Sequence, residues 1–261
     1  MFVFDTLTHR LKRGCQTMAY PDGPAPALPD RHGGALRLDA TKCAGDCRAC
    51  LPVCPTEAIT RPAGTPAALD LGRCIFCAEC VVACPTHALT QTRNHRMAGR
   101  RREDLVLGAP GAEEVRLAAA LDDKLRQLFG RSLRLRQVSA GGCNACEADT
   151  NVLGTIGWDL GRFGIQFVAS PRHADGLLIT GPVTQNMFLA LEKTYAAVAP
   201  PKLVIAVGAC AIAGGPFVGH PQVHNGASAV VPVDLFIPGC PPHPLTFLDG
   251  LLRLLGRVSD R

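Results

Sequence analysis

Leu133-Arg134-Leu135-Arg136-Gln137-Val138 leads into Gly141-Gly142-Cys143-Asn144-Ala145-Cys146-Glu147. A short run that alternates leucine with arginine has one apolar face, as a half-buried strand does. Two thiols three positions apart follow it, behind a glycine pair and ahead of an acid. The same order of events recurs downstream. Leu203–Val207 runs into Gly208-Ala209-Cys210, and Val233–Ile237 runs into Pro238-Gly239-Cys240-Pro241-Pro242. Ile165–Ala169 and Leu177–Thr180 are two further strand-like runs, while Asp149–Leu160, Asn186–Val198 and Pro244–Arg257 read as helices. This alternation predicts a mostly parallel sheet covered by helices. In such open sheets, sites form beyond the carboxyl ends of the strands. Cys143, Cys146, Cys210 and Cys240 can therefore converge on one metal cluster although they are far apart in sequence.

Taken alone, Cys143 and Cys146 also fit a redox dithiol or half of a zinc site. A dithiol of that kind opens a helix and has no further partners. Here two remote cysteines follow at later strand ends, each just behind a glycine. Glycine lets backbone approach a bulky group and aim N–H donors at it, and Pro241 and Pro242 stiffen the exit of the last loop.

An internal repeat precedes this half. Cys43, Cys47, Cys50 and Cys54-Pro55-Thr56-Glu57-Ala58-Ile59 are echoed by Cys74, Cys77, Cys80 and Cys84-Pro85-Thr86-His87-Ala88-Leu89, with an offset of 30 from Cys47 onward. Each unit is too small to own a core, so the two together imply one small pseudo-symmetric domain. Three closely spaced thiolates plus a remote fourth suit an iron–sulfur cubane. Zinc knuckles use four ligands in two separated pairs and fit two runs of four ending in Cys-Pro poorly. The runs resemble the bacterial two-cluster [4Fe–4S] ferredoxins, in which the fourth cysteine of each run ligates the other cluster. That resemblance implies one cluster on Cys43, Cys47, Cys50 and Cys84, and another on Cys74, Cys77, Cys80 and Cys54. The first run departs from the pattern by one extra residue within Ala44-Gly45-Asp46. Gly45 makes a small bulge tolerable there. Cys15 belongs to no spacing pattern and reads as a bystander thiol.

The chain has 261 residues, 47% of them hydrophobic, enough for a real core and two domains. No secretory signal pattern opens it, so the thirteen cysteines favour metal ligation over a disulfide scaffold. The longest uncharged run, 203–233, is broken by Gly, Pro, His, Gln and Asn and does not read as a membrane span. The formal charge of +5 lies in the middle of the chain: residues 91–140 carry 11 Lys or Arg against 6 Asp or Glu. Five arginines fall between Gln91 and Arg102. They read equally as a patch for an acidic partner or anionic lipid and as a solvated linker. The patch is short and lacks interleaved aromatics, which argues against nucleic-acid binding.

Met1–Gly14 can form a helix with Val3, Phe4, Leu7 and Leu11 on one face. It suits a membrane surface, or packing on this chain or a partner. Tyr20–Gly34 reads as an extended loop. Ala112–Phe129 is predicted helical from Val115, Ala118, Leu121, Leu125 and Leu128, with Gly130 ending it. The domain expectation is therefore a helix and loop over 1–34, a two-cluster domain over 35–92, a basic linker over 93–111 and the sheet domain over 112–261.

Phe129-Gly130-Arg131-Ser132-Leu133, Gly142-Cys143-Asn144-Ala145-Cys146-Glu147, Ser170-Pro171-Arg172-His173-Ala174-Asp175-Gly176 with the following Leu177–Thr184, Gly208–Gly215 and Pro238–Pro242 are similar to small subunits of membrane-bound, energy-converting [NiFe] hydrogenases. These are relatives of the quinone-proximal cluster subunit of respiratory complex I. The ferredoxin half resembles the neighbouring iron–sulfur subunit, so the chain resembles a fusion of two adjacent subunits. The resemblance implies an α+β ferredoxin-like domain followed by an α/β flavodoxin-like domain with a mostly parallel sheet. It implies a third [4Fe–4S] cluster on Cys143, Cys146, Cys210 and Cys240. Complex I subunits carry adjacent cysteines as the first pair, whereas the spaced pair here is the hydrogenase-like form. Glu147 is implied as a proton-transfer residue, with an acid favoured by the helix dipole as the alternative. Arg131, Arg172 and His173 are expected to flank the cluster or a partner interface.

The implied function is electron relay through three [4Fe–4S] clusters in an oxidoreductase subunit that has no complete active site of its own. The implied partners are a hydrogenase or complex I-like large subunit, membrane subunits, and a ferredoxin or formate dehydrogenase module. The implied location is peripheral, on the cytoplasmic side of the inner membrane. The alternatives are a complex I-like NADH or quinone reductase subunit and a stand-alone ferredoxin-type carrier.

Overall fold

The computed structural model describes residues 3–43, 46–62, 65, 67–108 and 112–258. In chain order the first elements are helix α1 (Val3–Arg13), strands β1 (Leu36–Leu38), β2 (Ile59–Thr60) and β3 (Ala68–Asp70), the short helical turn α2 (Glu79–Val82), and strands β4 (Leu89–Gln91) and β5 (Val106–Leu107). Then follow α3 (Asp123–Phe129), β6 (Leu133–Ser139), α4 (Ala145–Val152), β7 (Ile165–Phe167), β8 (Gly176–Thr180), α5 (Gln185–Ala197), β9 (Leu203–Val207), α6 (Gly208–Ala213), β10 (Leu235–Ile237) and α7 (Pro244–Leu254).

The C-terminal half is an α/β unit on a five-stranded, all-parallel sheet in the order β10-β9-β8-β6-β7. Numbered within the sheet domain this is 2-1-3-4-5 read from the β7 edge, the flavodoxin-like order, whose switch point lies between its first and third strands. Every residue of β8 and β9 is buried, as central parallel strands require. β6 buries Leu133, Leu135 and Val138 and turns Arg134 outward, so its leucine–arginine alternation is the mark of a one-sided strand. The expected parallel sheet is present, with strand boundaries shifted by one or two residues.

The N-terminal half carries two small antiparallel sheets. β1 pairs with β4, Leu36 opposite Gln91. β3 pairs with both β2 and β5. The segment read as a basic linker is packed against the rest of the chain. Met97, Ala98, Leu105 and Leu107 are buried, and β5 completes a sheet. Gly99 exchanges two backbone hydrogen bonds with Phe236 of the edge strand β10. Three of the five arginines are spent inside the chain. Arg102 grips Asp70 with both terminal nitrogens, at 2.6 and 2.5 Å. Arg100 donates to the Asp234 carbonyl, and Arg93 donates to the carbonyls of Leu28 and Pro29. A continuous apolar core joins the halves, running from Leu36, Leu69 and Leu107 through Ile212 to Val138, Leu177 and Phe236.

Other sequence expectations also need correction. Residues 112–121 are not helical. Ala118 N–H bonds to the Ala98 carbonyl and Leu121 N–H to the Leu254 carbonyl, so this backbone is spent on neighbouring segments. Apolar residues at steps of three still bury Ala118 and Leu121, because an irregular strap can present every third side chain to a groove as well as a helix can. The helix begins only at Asp123, where Asp122 caps it by accepting from Leu125 N–H. The helix expected over Asp149–Leu160 is Ala145–Val152 instead, so Cys146 lies in its first turn. A pair that opens a helix was the expected mark of a dithiol, and that criterion fails to discriminate here. Cys210 likewise lies in a short helix, α6, rather than a loop.

α7 is buried on every side, which is unusual for a helix carrying Asp249 and Arg253. The two sit one turn apart, and Arg253 Nε donates to Asp249 Oδ2 at 2.8 Å. Tyr20 Oη donates to Asp249 Oδ1, also at 2.8 Å. Burial, then Asp249, raises the Tyr20 hydroxyl pKa, keeping it a donor. His95 meets the Tyr20 ring edge-on, and burial pushes its pKa down to about 4. Arg162 fastens the segment that carries Tyr20 by donating to the carbonyls of Met18 and Tyr20, both at 2.7 Å.

Candidate metal centres

Two voids of matched size lie within the N-terminal half. Cys43, Cys47, Cys50 and Cys84 line one, with about 330 Å³ of unfilled space. Cys54, Cys74, Cys77 and Cys80 line the other, with about 290 Å³. The chain thus crosses over: the last cysteine of each run joins the first three of the other. All thirteen cysteines are free thiols. The insertion at Ala44 and Gly45 lies outside the described residues.

The repeat is repeated in geometry. Glu57 and His87, 30 apart, both take φ of 50°, a left-handed conformation uncommon outside glycine. The next N–H then points back at the run's last sulfur: Ala58 N–H to Cys54 Sγ at 3.2 Å, and Ala88 N–H to Cys84 Sγ at 3.3 Å. Phe76 N–H donates to Cys74 Sγ at 3.3 Å, from another left-handed residue. Donors aimed at sulfur fit thiolates. Burial raises the pKa of Cys50, and pushes Cys74 up to about 12 and Cys80 up to about 11. At Cys84, burial works upward, but N–H donors from Leu89 and Ala88 and the Thr86 hydroxyl leave its pKa lowered. Four thiols facing one another are costly to ionise unless a positive core shares their charge, which a metal cluster provides.

A third set gathers beyond the carboxyl ends of β6, β9 and β10. The switch point lies here: Gly142 follows β6 and Gly181 follows β8, and a Cβ on Gly181 would meet Gly142 N at 2.5 Å. Cys146 is raised by burial first, then by Glu147 and by the sulfurs of Cys210, Cys240 and Cys143. Cys210 is pushed up to about 11 by burial, then by Cys240 and Cys143. The four thiols thus lie within electrostatic reach of one another. Gly208 has φ of +87°, and a Cβ there would stand 2.6 Å from Cys146 Sγ, so glycine is what lets α6 start against that sulfur. Cys143 and Cys240 are exposed and Cys146 and Cys210 half-buried, so this set opens to the surface.

Glu147 turns inward from α4. It is buried, and its Oε1 accepts from Ser139 Oγ and Thr180 Oγ1, both at 2.6 Å. The sequence reading missed these two hydroxyls, although Ser139 ends β6 and Thr180 ends β8 in parallel register. Arg131, Arg172 and His173 lie elsewhere. Arg131 precedes β6, and Arg172 and His173 form an exposed turn before β8, all at the amino ends of the strands. Of the two expected places, beside the cluster or at a partner interface, the first does not hold, because the cysteine loops leave the opposite ends.

An open cleft, with about 1110 Å³ of unfilled space, adjoins both halves. Ile75 and Phe76 of the Cys74–Cys77 loop line it together with Cys240 and His243 of the last loop and Trp158. Among the described residues, no three His, Cys, Asp or Glu side chains are grouped to hold a single metal ion, and no helix is long and apolar enough to cross a membrane.

The family described as the 20 kDa subunit of NADH–ubiquinone oxidoreductase matches residues 143–254. A 4Fe–4S dicluster domain matches residues 42–100. A probable membrane-bound hydrogenase subunit, mbhJ, of Pyrococcus furiosus is 39% identical over 142 residues, covering 53% of this chain and 85% of that protein. An NADH-quinone oxidoreductase subunit of Phocaeicola vulgatus is 41% identical over 144 residues, covering 55% of this chain and 71% of that one. Formate hydrogenlyase subunit 7 of Escherichia coli is 39% identical over 143 residues, 55% of this chain and 56% of that protein.

Proposed function

The chain belongs to the family of the 20 kDa subunit of NADH–ubiquinone oxidoreductase, with a 4Fe–4S dicluster domain ahead of it, and from that premise we propose that it is the electron-transfer subunit of a membrane-associated [NiFe] hydrogenase or formate hydrogenlyase-like complex. The observation that carries the reading is the gathering of twelve of thirteen cysteines into three sets of four. The proposal assigns a [4Fe–4S] cluster to each: Cys43, Cys47, Cys50 and Cys84; Cys54, Cys74, Cys77 and Cys80; Cys143, Cys146, Cys210 and Cys240. When bound, each cluster takes up and gives back one electron at a potential set by its surroundings.

The chain's own residues do the rest. The cleft shared by Phe76 and Cys240 supports an order in which the Cys74 set stands between the Cys43 set and the Cys143 set. The domains follow as a ferredoxin-like unit over about 35–92 and the sheet unit over 112–261, joined by a packed segment. Exposure of Cys143 and Cys240 supports docking of a large partner subunit over that face. Glu147, between two hydroxyls, is proposed to hand a proton to or from that partner. Glu147→Gln in the assembled complex should lower turnover and alter its pH profile; unchanged values of both would remove this role.

Membrane attachment is proposed to be peripheral and cytoplasmic. α1 supports it. Phe4, Leu7 and Leu11 lie on one face and are 80%, 52% and 85% exposed, while Arg10, Lys12 and Arg13 supply cations. That combination suits an anionic lipid surface. A ferredoxin or a formate dehydrogenase module is the proposed exchange partner at the Cys43 end.

Anaerobic purification of the full chain from its membrane tests the reading. About twelve iron atoms per chain and a co-purifying large subunit are expected. About eight iron atoms, or a chain that runs alone at its monomer mass, would overturn it. The spaced Cys143–Cys146 pair favours a nickel-binding partner. A partner lacking two cysteine pairs for nickel would move the assignment to the complex I-like reading.

A further inference from the structure

The two runs of the N-terminal repeat are not held alike. Arg61 reaches back over the first run, where its Nη1 donates to the Cys47 carbonyl at 2.6 Å and to Cys43 Sγ at 3.4 Å. Cys43 and Cys47 bound the interval that has three residues in the first run and only two, between Cys74 and Cys77, in the second. Cys74 accepts from the neutral N–H of Phe76. With the repeat offset of 30, the counterpart of Arg61 is Gln91, which carries no charge. The other sulfur donors match, Ala58 against Ala88. Among the described residues, Arg61 is thus the charged group that donates to a cysteine sulfur in either run.

We propose that Arg61 is a positioning residue. It clamps the widened Cys43–Cys47 interval and holds the first site at a higher reduction potential than the second. This rests on the first site holding a cluster, as proposed above. A guanidinium stays protonated at any working pH. A charge-assisted hydrogen bond is roughly twice as strong as a neutral one. A cluster that gains an electron becomes more negative, so a fixed cation on a ligand sulfur stabilises the reduced form over the oxidised one.

Potentiometric paramagnetic resonance titration of the full chain, with iron counted, tests the proposal. Arg61→Gln installs the residue found in the second repeat. It should lower the midpoint of one of the three signals by about a tenfold shift in the reduction equilibrium, about 59 mV for one electron. The other two midpoints should stay, and Arg61→Lys should fall between. Unchanged midpoints in Arg61→Gln at full iron content would overturn the proposal. If Arg61→Gln loses that site's iron, Arg61→Lys decides. Retained iron with a potential nearer the wild type supports the tuning role, and equal loss overturns it. Cys43→Ala with undiminished iron would instead remove the cluster itself from the first site.

Discussion

Cys210→Ala is expected to cost the chain about four of about twelve iron atoms and to slow electron transfer to the large partner by at least about a hundredfold. Outer-sphere changes at metal sites alone cost 10–100-fold, and Cys210 is proposed as a direct ligand. The fold should survive. Cys210 sits in α6, whose backbone bonds Gly214 N–H to the Cys210 carbonyl regardless of side chain. The central strand β9 before it is packed independently of any sulfur. The two N-terminal signals should therefore persist while the third disappears. Transfer within tenfold of wild type, or loss of all three signals together, would contradict the assignment. Gly208→Ala offers a gentler version. It keeps every thiol but drives a methyl group to 2.6 Å from Cys146 Sγ, at a φ of +87° that disfavours side chains. A displaced third signal, with the other two unchanged, is the expected readout.

Asp249→Ala should lower stability by about 3–5 kcal/mol, the usual consequence of removing one partner from a buried ion pair. Asp249 and Arg253 are both buried on α7, and Asp249 also receives the Tyr20 hydroxyl. Tyr20→Phe deletes one hydrogen bond to a buried carboxylate and should cost about 1.5–3 kcal/mol. Replacing the pair with apolar residues of similar size, Asp249→Leu with Arg253→Met, should recover most of the loss. Urea unfolding midpoints of the iron-loaded chain rank the variants. An Asp249→Ala midpoint no lower than that of Tyr20→Phe would mean the charge pair does little, and the segment around Tyr20 is then held by Arg162 instead.

The sheet was legible because its signals are local. Continuous apolar runs such as Leu203–Val207 and Leu177–Thr180 can only be buried parallel strands when they alternate with helices. The cysteine runs were legible from spacing, their division into crossed sets came only with the ferredoxin resemblance, and Cys143, Cys210 and Cys240 fell where strands end. What escaped the sequence is non-local. Residues 112–121 carry a three-step apolar pattern that fits both a helix and a strap in a groove, and the decision is made by carbonyls of Ala98 and Leu254. The arginine run reads equally as a partner patch and as solvated linker because charge does not reveal its partner. Asp70, 32 residues away, claims Arg102, and the Asp234 carbonyl claims Arg100. Ser139 and Thr180 became neighbours of Glu147 only through the β6–β8 register. A pairing of distant chain segments leaves no mark in the spacing of either one.

The apolar core that runs across both halves, reinforced by Gly99 against Phe236 and by Arg102 against Asp70, changes the kinetic order of what happens inside. Were the two halves separate proteins, handing charge from one to the other would require an encounter, and its rate would depend on how much of each the cell made. Joined in this way, they are present in one-to-one ratio by construction, and neither can be diluted away from the other. Internal transfer is then first order and insensitive to expression level. Only the outermost exchanges, proposed with a donor at one end and a large partner subunit at the other, then remain open to competition and control.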